Sequence, residues 1–353
     1  MAADPGLVAV ARGLLAQLGV SVADLQLAQP QTAVTVNDYL PRVRAAASTS
    51  SNRTYGSYWN RMSAAWGERP VASIAATDVE AFQRRCARTS RQRRNGRGGR
   101  QAGENAVAAA RAFFSRAIAD GLIATGASPA HQVAKPRRLP SPRRALTPDE
   151  ITEINQVARS SGNDAVLDAL LLRLHTETAC RRGGALALRL MDLDTARGLV
   201  RLREKGETLR WQPVTLALAE RLADHAASRG AVAPADGLLR YRDGRALTSR
   251  RYDHLWKRLG DRLPWVAAQS ISTHWLRHTT LTWVERNFGY GIARAYAGHT
   301  DNTGPATTTY IKADLQAVAT ALAALTGQPH PLAGSLDDLG MWGTPAARGF
   351  KPT

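Results

Sequence analysis

The chain has 353 residues, enough for two domains, and 44% of them are hydrophobic, enough to fill real cores. Its formal net charge is +18, carried mostly by arginine, which points to a polyanionic partner, most simply nucleic acid. Two distant cysteines, Cys86 and Cys180, exclude a disulfide framework and a CxxC metal pair, and no run approaches the ~20 apolar residues of a membrane span.

That cysteine usage fits a reducing, cytoplasmic setting. Residues 1–33 hold one short helical stretch interrupted by Asp4, Pro5 and Arg12, with no basic segment ahead of an apolar core, so no signal peptide is expected. From 34 to 126 the pattern is helical. One segment runs from Val34 to about Ala47, and an aromatic-rich one from Arg53 to Trp66. A third opens at Thr77, with Glu80 as its capping-box partner. A fourth carries Val107, Ala110, Phe114, Ala117 and Ile118 on one face. Four such helices predict a small bundle.

Between the third and fourth helices lies Ser90–Arg100, with five arginines, three glycines and no acidic residue. Arg91, Arg93, Arg94, Arg97 and Arg100 are candidates to track DNA phosphates. Residues 127–145 are rich in proline and basic side chains and read as an extended linker, whose Arg137, Arg138, Arg143 and Arg144 are further phosphate candidates.

A second domain is expected over 146–326. Thr147-Pro148-Asp149-Glu150 is a helix start, with Thr as N-cap, Pro at the first position and Glu reaching back from the third. Val166, Leu167, Leu170, Leu171 and Leu174 read as the buried stripe of the next helix. Between Gly198 and Thr215 the period changes to two: Val200 and Leu202 alternate with Arg201 and Arg203, and Leu209 and Trp211 with Arg210 and Gln212. Glu204-Lys205-Gly206-Glu207 is the turn of that hairpin, with Lys205 at its tip. Tyr252, Leu255, Trp256 and Leu259 form one more helical stripe. The tail 327–353, rich in Gly and Pro, reads as loosely ordered.

The chemistry concentrates between Ser272 and Tyr310. His274 and Arg277 are nearly one helical turn apart and share a face. An imidazole beside a guanidinium suits a phosphate, since Arg binds two oxygens and His moves a proton. Gly298-His299 follows, then Thr308-Thr309-Tyr310, and a tyrosine can serve as a covalent nucleophile. There is no GxxxxGK[ST] loop and no metal-ligand cluster, so no cofactor and no metal are expected.

Taken in order, these segments resemble the tyrosine recombinase (phage integrase) family. Thr178-Ala179-Cys180-Arg181 is similar to the family's first-arginine motif, usually Thr-Gly-x-Arg. Lys205 matches its hairpin lysine, His274-Trp275-Leu276-Arg277-His278-Thr279 its His-x-x-Arg-His-Thr box, Ala297-Gly298-His299 its Leu-Gly-His element, and Thr308-Thr309-Tyr310 its nucleophile segment. The resemblance spans about residues 34–325. It implies a mostly α chain with a small β-hairpin in an α+β catalytic domain, joined by the linker to a helical core-binding bundle. It also implies the catalytic set Arg181, Lys205, His274, Arg277, His299 and Tyr310, with Tyr296 as the alternative nucleophile. Expected partners are double-stranded DNA at a specific site and further copies of the chain, forming a tetramer on two sites without metal or ATP. The helix after Tyr310 would dock on a neighbouring subunit, as in the family.

This chain departs from the pattern in three places, the first being that no clear β-rich arm-binding domain is read ahead of residue 34. Gly184 stands where the family usually has an acidic residue, and the interval from His299 to Tyr310 is lengthened by Gly304-Pro305. Three other readings compete: a type IB topoisomerase, a non-catalytic DNA-binding descendant of a recombinase, and a metal-dependent nuclease. None of Arg181, Arg277 and Tyr310 is missing, which weighs against the second.

Overall fold

A computed structural model describes residues 5–20, 34–90, 99–136, 143–203, 209–298 and 315–334. The chain divides into two compact units, Met1–Pro140 and Ser141–Thr353.

The first unit is helical: α1 (Pro5–Gln17), α2 (Val36–Ala46), α3 (Thr49–Trp66), α4 (Ala76–Arg88), α5 (Arg100–Ala119) and the short α6 (Pro129–Gln132). Its core gathers Tyr39, Trp59, Met62, Phe82, Phe113 and Phe114. The polar ends of the buried aromatics are satisfied, as burial demands: Trp59 Nε1 donates to Ala109 O at 3.1 Å and Tyr39 OH to Asp120 Oδ2 at 2.6 Å. The start of α4 differs from the sequence expectation. Thr77 lies inside the helix, and the Asp78 carboxylate, not Glu80, takes the orphan N–H of Ala75 at 2.9 Å. Arg69 bonds both oxygens of Asp78 and fixes it there, whereas Glu80 faces outward toward Arg84. Ala130 and Val133 are buried in this core, and Arg111 bonds their carbonyls at 3.1 and 2.8 Å, although both residues fall in the stretch whose composition reads as linker.

The second unit carries α7 (Pro148–Ser160), α8 (Ala165–Thr178), α9 (Arg182–Leu186), β1 (Leu193–Asp194), β2 (Leu199–Arg203), β3 (Leu209–Pro213), α10 (Leu216–Ser228), α11 (Ser249–Arg262), α12 (Pro264–Gln269), α13 (Thr273–Ala297) and α14 (Leu315–Thr326). The cap read from sequence at Thr147 is present, with Glu150 N donating to Thr147 Oγ1 and Thr147 N to Glu150 Oε2. On α8, Leu167, Leu170, Leu171 and Leu174 are buried, but Val166 is 71% exposed. It sits in the first turn, on the side that α8 turns toward an open cleft.

The three strands pair antiparallel in the order β1-β2-β3, with Val200 opposite Gln212 and Leu202 opposite Arg210. Cross-strand partners share a face, so Arg210 and Gln212 lie on the side that buries Val200 and Leu202. The apolar residues of β3 point the other way: Leu209 is 55% and Trp211 41% exposed. Sequence alternation on its own would bury Leu209 and Trp211; the register does the reverse. Trp211 instead receives the Arg201 guanidinium, 5.6 Å from its ring centre. Arg201 and Arg203 both bond the fully buried Asp192 at 2.8 Å.

The helix α13 is interrupted at Gly289, whose φ of +81° no L-residue adopts readily. The last helix, α14, is buried within its own unit: Val318, Ala321 and Leu322 pack with Val284, Phe288 and Tyr296. Its apolar face thereby closes this core. No helix among the described residues is long and apolar enough to cross a membrane.

Candidate active site

Arg181 is placed by a chain reversal at the end of α8. Ala179 caps that helix in the left-handed conformation, φ +49°, and its N–H returns to His175 O at 3.0 Å. The methyl of Ala179 is buried in the α13–α14 core, which accounts for a side chain where glycine would be easier. Cys180 N then bonds Thr178 Oγ1, and Arg181 follows as N-cap of α9, partly buried.

Beneath this turn lies a buried polar chain that sequence reading missed. His175 Nδ1 meets Cys180 O at 3.1 Å and its Nε2 meets Tyr252 OH at 2.9 Å. Burial lowers the His175 pKa to about 4. The visible signal was a histidine six residues ahead of Arg181, inside a leucine-rich helix.

Arg277 comes from the first turns of α13 and is only 4% exposed. One N–H group donates to Ala179 O and another to Ala297 O, the latter at 2.8 Å. The guanidinium therefore joins the turn that presents Arg181 to the end of α13, next to Gly298-His299. Tyr296 donates its hydroxyl to Glu177 O, is fully buried, and has its pKa raised by burial. This removes Tyr296 as an alternative nucleophile, since a desolvated phenol committed to a backbone carbonyl neither ionises nor reaches a phosphate.

His274 stands at the first turn of α13, exposed on one edge. Its pKa falls below the ordinary histidine value, first through burial of its other edge, then through the positive charges of Arg143 and Arg277, followed by His278 and Arg181. His274, Arg277, Arg181 and Arg143 thus form one cluster drawn from three stretches of chain. The approach of residue 143 is fixed by Leu146 N, which donates to Thr279 Oγ1 at 2.9 Å. Arg144 is held by the Glu150 carboxylate and also reaches Gln269. A cleft of about 520 Å³ opens beside Arg181 and His274, bordered by Tyr252, Trp256 and the Arg182–Asp253 ion pair. A larger one of about 640 Å³, between α8 and α10, holds none of the expected site residues.

Of the remaining expected residues, Lys205, His299 and Tyr310 lie outside the described residues, as do Arg91, Arg93, Arg94, Arg97, Arg137 and Arg138. Their flanks are placed: β2 and β3 bracket Lys205, Gly298 precedes His299, and α14 begins after Tyr310. Arg100 opens α5 and is exposed; Gly184 is buried in α9. Among the described residues, no cluster of His, Cys, Asp and Glu is built to hold a metal.

The second unit is thus a mostly helical body with a small antiparallel sheet, in which Arg181, Arg277 and Arg143 gather around His274. Residues 144–316, a little under half of the chain, match the model of the Phage integrase family. Among individual proteins, the chain is 31% identical over 199 residues to the tyrosine recombinase XerC of Azotobacter vinelandii, a match covering 56% of this chain and 62% of that one. It is similar in fold to a lambda integrase tetramer bound to a Holliday junction (TM-score 0.59, 18% identity, 86% of this chain and 90% of that one). A like similarity holds to the Tn1549 transposon integrase in complex with transposon right end DNA (TM-score 0.60, 16% identity, 79% and 95%).

Proposed function

We propose that this protein is a site-specific DNA recombinase that cuts and rejoins DNA through a 3′-phosphotyrosyl intermediate. The observation that carries this reading is the gathering of Arg181 and Arg277 around His274, beside a cleft that Arg181 and His274 line, inside the family-matching unit.

Arg181 and Arg277 bind the non-bridging oxygens of the scissile phosphate and stabilise the charge of the transition state. The phenol oxygen of Tyr310 attacks phosphorus while the bond from phosphorus to the 5′ oxygen breaks. The phenol proton passes to His274, which the lowered pKa keeps neutral and able to accept it. Lys205 supplies the proton that the departing 5′ oxygen takes up, and His299 hydrogen-bonds the phosphate. Because the phosphotyrosyl bond retains the energy of the phosphodiester, the reverse attack by a 5′ hydroxyl needs neither ATP nor a metal. Four such exchanges on two duplexes require four subunits, so the working assembly is a tetramer on two sites.

Sequence-independent affinity comes from phosphate contacts by Arg91, Arg93, Arg94, Arg97, Arg100, Arg137, Arg138 and Arg143. Arg144 contributes less, because Glu150 already neutralises it. Replacing the five arginines of the loop with Ala should flatten the salt dependence of binding; an unchanged slope would remove the loop from the interface.

The test of the function is covalent trapping. Nicked suicide DNA incubated with the protein in EDTA should yield a protein–DNA adduct, and Tyr310→Phe should bind DNA without forming one. An undiminished adduct in that variant, or one that depends on a divalent ion, would refute the reading.

A further inference from the structure

On β3 the face turned to the core carries Arg210 and Gln212, while Leu209 and Trp211 face outward. A two-period strand normally does the opposite, and withdrawing a guanidinium from water has a cost that some other contact must offset. Gln212 is fully buried, and its amide nitrogen has no hydrogen-bond partner among the described residues; its oxygen accepts from Arg210. Such a break in a local pattern is expected where function has overridden stability.

The Arg210 side chain lies against Gly298, the left-handed cap of α13 (φ +65°). A Cβ on Gly298 would fall 2.6 Å from Arg210 Cδ, closer than such atoms approach. Gly298 is therefore favoured by its backbone conformation, and a Cβ there would displace the Arg210 side chain from its present seat. The contact joins two parts of the chain that sequence leaves apart. Arg210 stands on the return strand of the hairpin that carries Lys205, and Gly298 immediately precedes His299. The helix α14, which follows Tyr310, packs on the same strand.

We propose that Arg210 is a positioning residue that keys the β2–β3 hairpin onto the Gly298 cap of α13 and so sets the delivery of the Lys205 proton to the leaving 5′ oxygen. This rests on the recombinase reading above. Arg210 itself touches no reacting atom. It fixes where β3 lies relative to the end of α13, and β3 is the strand that follows the stretch carrying Lys205.

The experiment compares single-turnover cleavage of an ordinary nicked substrate with that of one bearing a 5′-bridging phosphorothiolate. In the latter the bond from phosphorus to sulfur breaks and the thiolate leaves without a proton, so a defect in proton delivery is bypassed. Arg210→Ala and Arg210→Met should each slow cleavage of ordinary DNA by about 100-fold, the lower end of what general-acid catalysis supplies. Both should cleave the phosphorothiolate within about threefold of the unaltered chain, because the chemistry that needs no acid is untouched. Lys205→Ala should show the same substrate dependence. The ratio of the two rates is independent of how much of each variant is folded, so partial misfolding does not blur the result. An equal loss on both substrates would show that Arg210 is only structural and overturn the proposal alone. Failure of the phosphorothiolate to rescue Lys205→Ala would overturn it as well, by moving the acid elsewhere. No adduct from the unaltered chain on either substrate would overturn the recombinase reading and the proposal with it.

Discussion

The two arginines of the site should fail in different ways when removed. Arg277 is buried and donates to two backbone carbonyls, Ala179 O and Ala297 O. Arg277→Ala strips both carbonyls of a charged donor, at about 1.5–3 kcal/mol each, or about 3–6 kcal/mol together. Removing a buried charge also relieves its own desolvation, which leaves a net loss of about 3 kcal/mol. For a domain of the size of Ser141–Thr353, 1 kcal/mol moves Tm by about 2–4 °C, so the expected fall is about 6–12 °C. Arg181 is partly buried at the N-cap of α9 and less enclosed than Arg277, so Arg181→Ala should lower Tm clearly less than Arg277→Ala does. Both variants should lose cleavage by about 100-fold or more, the scale of removing one transition-state donor. Differential scanning calorimetry beside suicide-substrate cleavage separates the cases. If Arg277→Ala melted with the unaltered chain, or Arg181→Ala fell as far as Arg277→Ala, the division of labour argued here would be wrong.

Two further outcomes concern pH. His175 and His225 are both held neutral by burial, with pKa values of about 4 in the folded chain against 6.5 when exposed. The unfolded state therefore binds more protons between those values, so stability is complete above pH 6.5 and is lost as pH falls toward 4, by up to about 3 kcal/mol for each histidine. Urea unfolding followed across this window should show the decline, and His175→Gln should make it shallower; a flat profile for the unaltered chain would contradict the assignment. The second concerns His274, whose depressed pKa should let cleavage persist below the ordinary histidine range. Arg143→Gln removes the largest electrostatic cause after burial, so the rising limb of the pH–rate profile should move to higher pH, and no movement would take Arg143 out of the cluster.

Local signals in the sequence were reliable where the physics is local. The Thr147-Pro148-Asp149-Glu150 start needs only its own backbone, and it forms as read. The stripe of α11 and the hairpin period likewise follow from side-chain geometry within a few residues. What failed depended on a distant partner. Asp78 caps α4 because Arg69 holds it, and nothing near Thr77 announces that. The face of β3 that goes inward is decided by its register with β2 and by Gly298, far along the chain. Ala130 and Val133 look like linker by composition, yet Arg111 fastens their carbonyls to the first core. In the site, the motif spacing located Arg181, His274 and Arg277, but the role of Arg277 as a brace, the His175–Tyr252 link and the approach of Arg143 all required three dimensions.

The hydrogen bond from Arg277 to Ala297 O places a metric on the sequence between them. Twenty residues of unbroken helix would hold those positions about 30 Å apart, so only the fold-back at Gly289 lets them meet. One residue added or deleted on either arm would rotate everything beyond it by about 100°, swinging the carbonyl away from the guanidinium and Gly298 away from Arg210. Length between Arg277 and Gly298 is therefore rationed. In this chain insertions are tolerable only where no closed ring of contacts has to be remade.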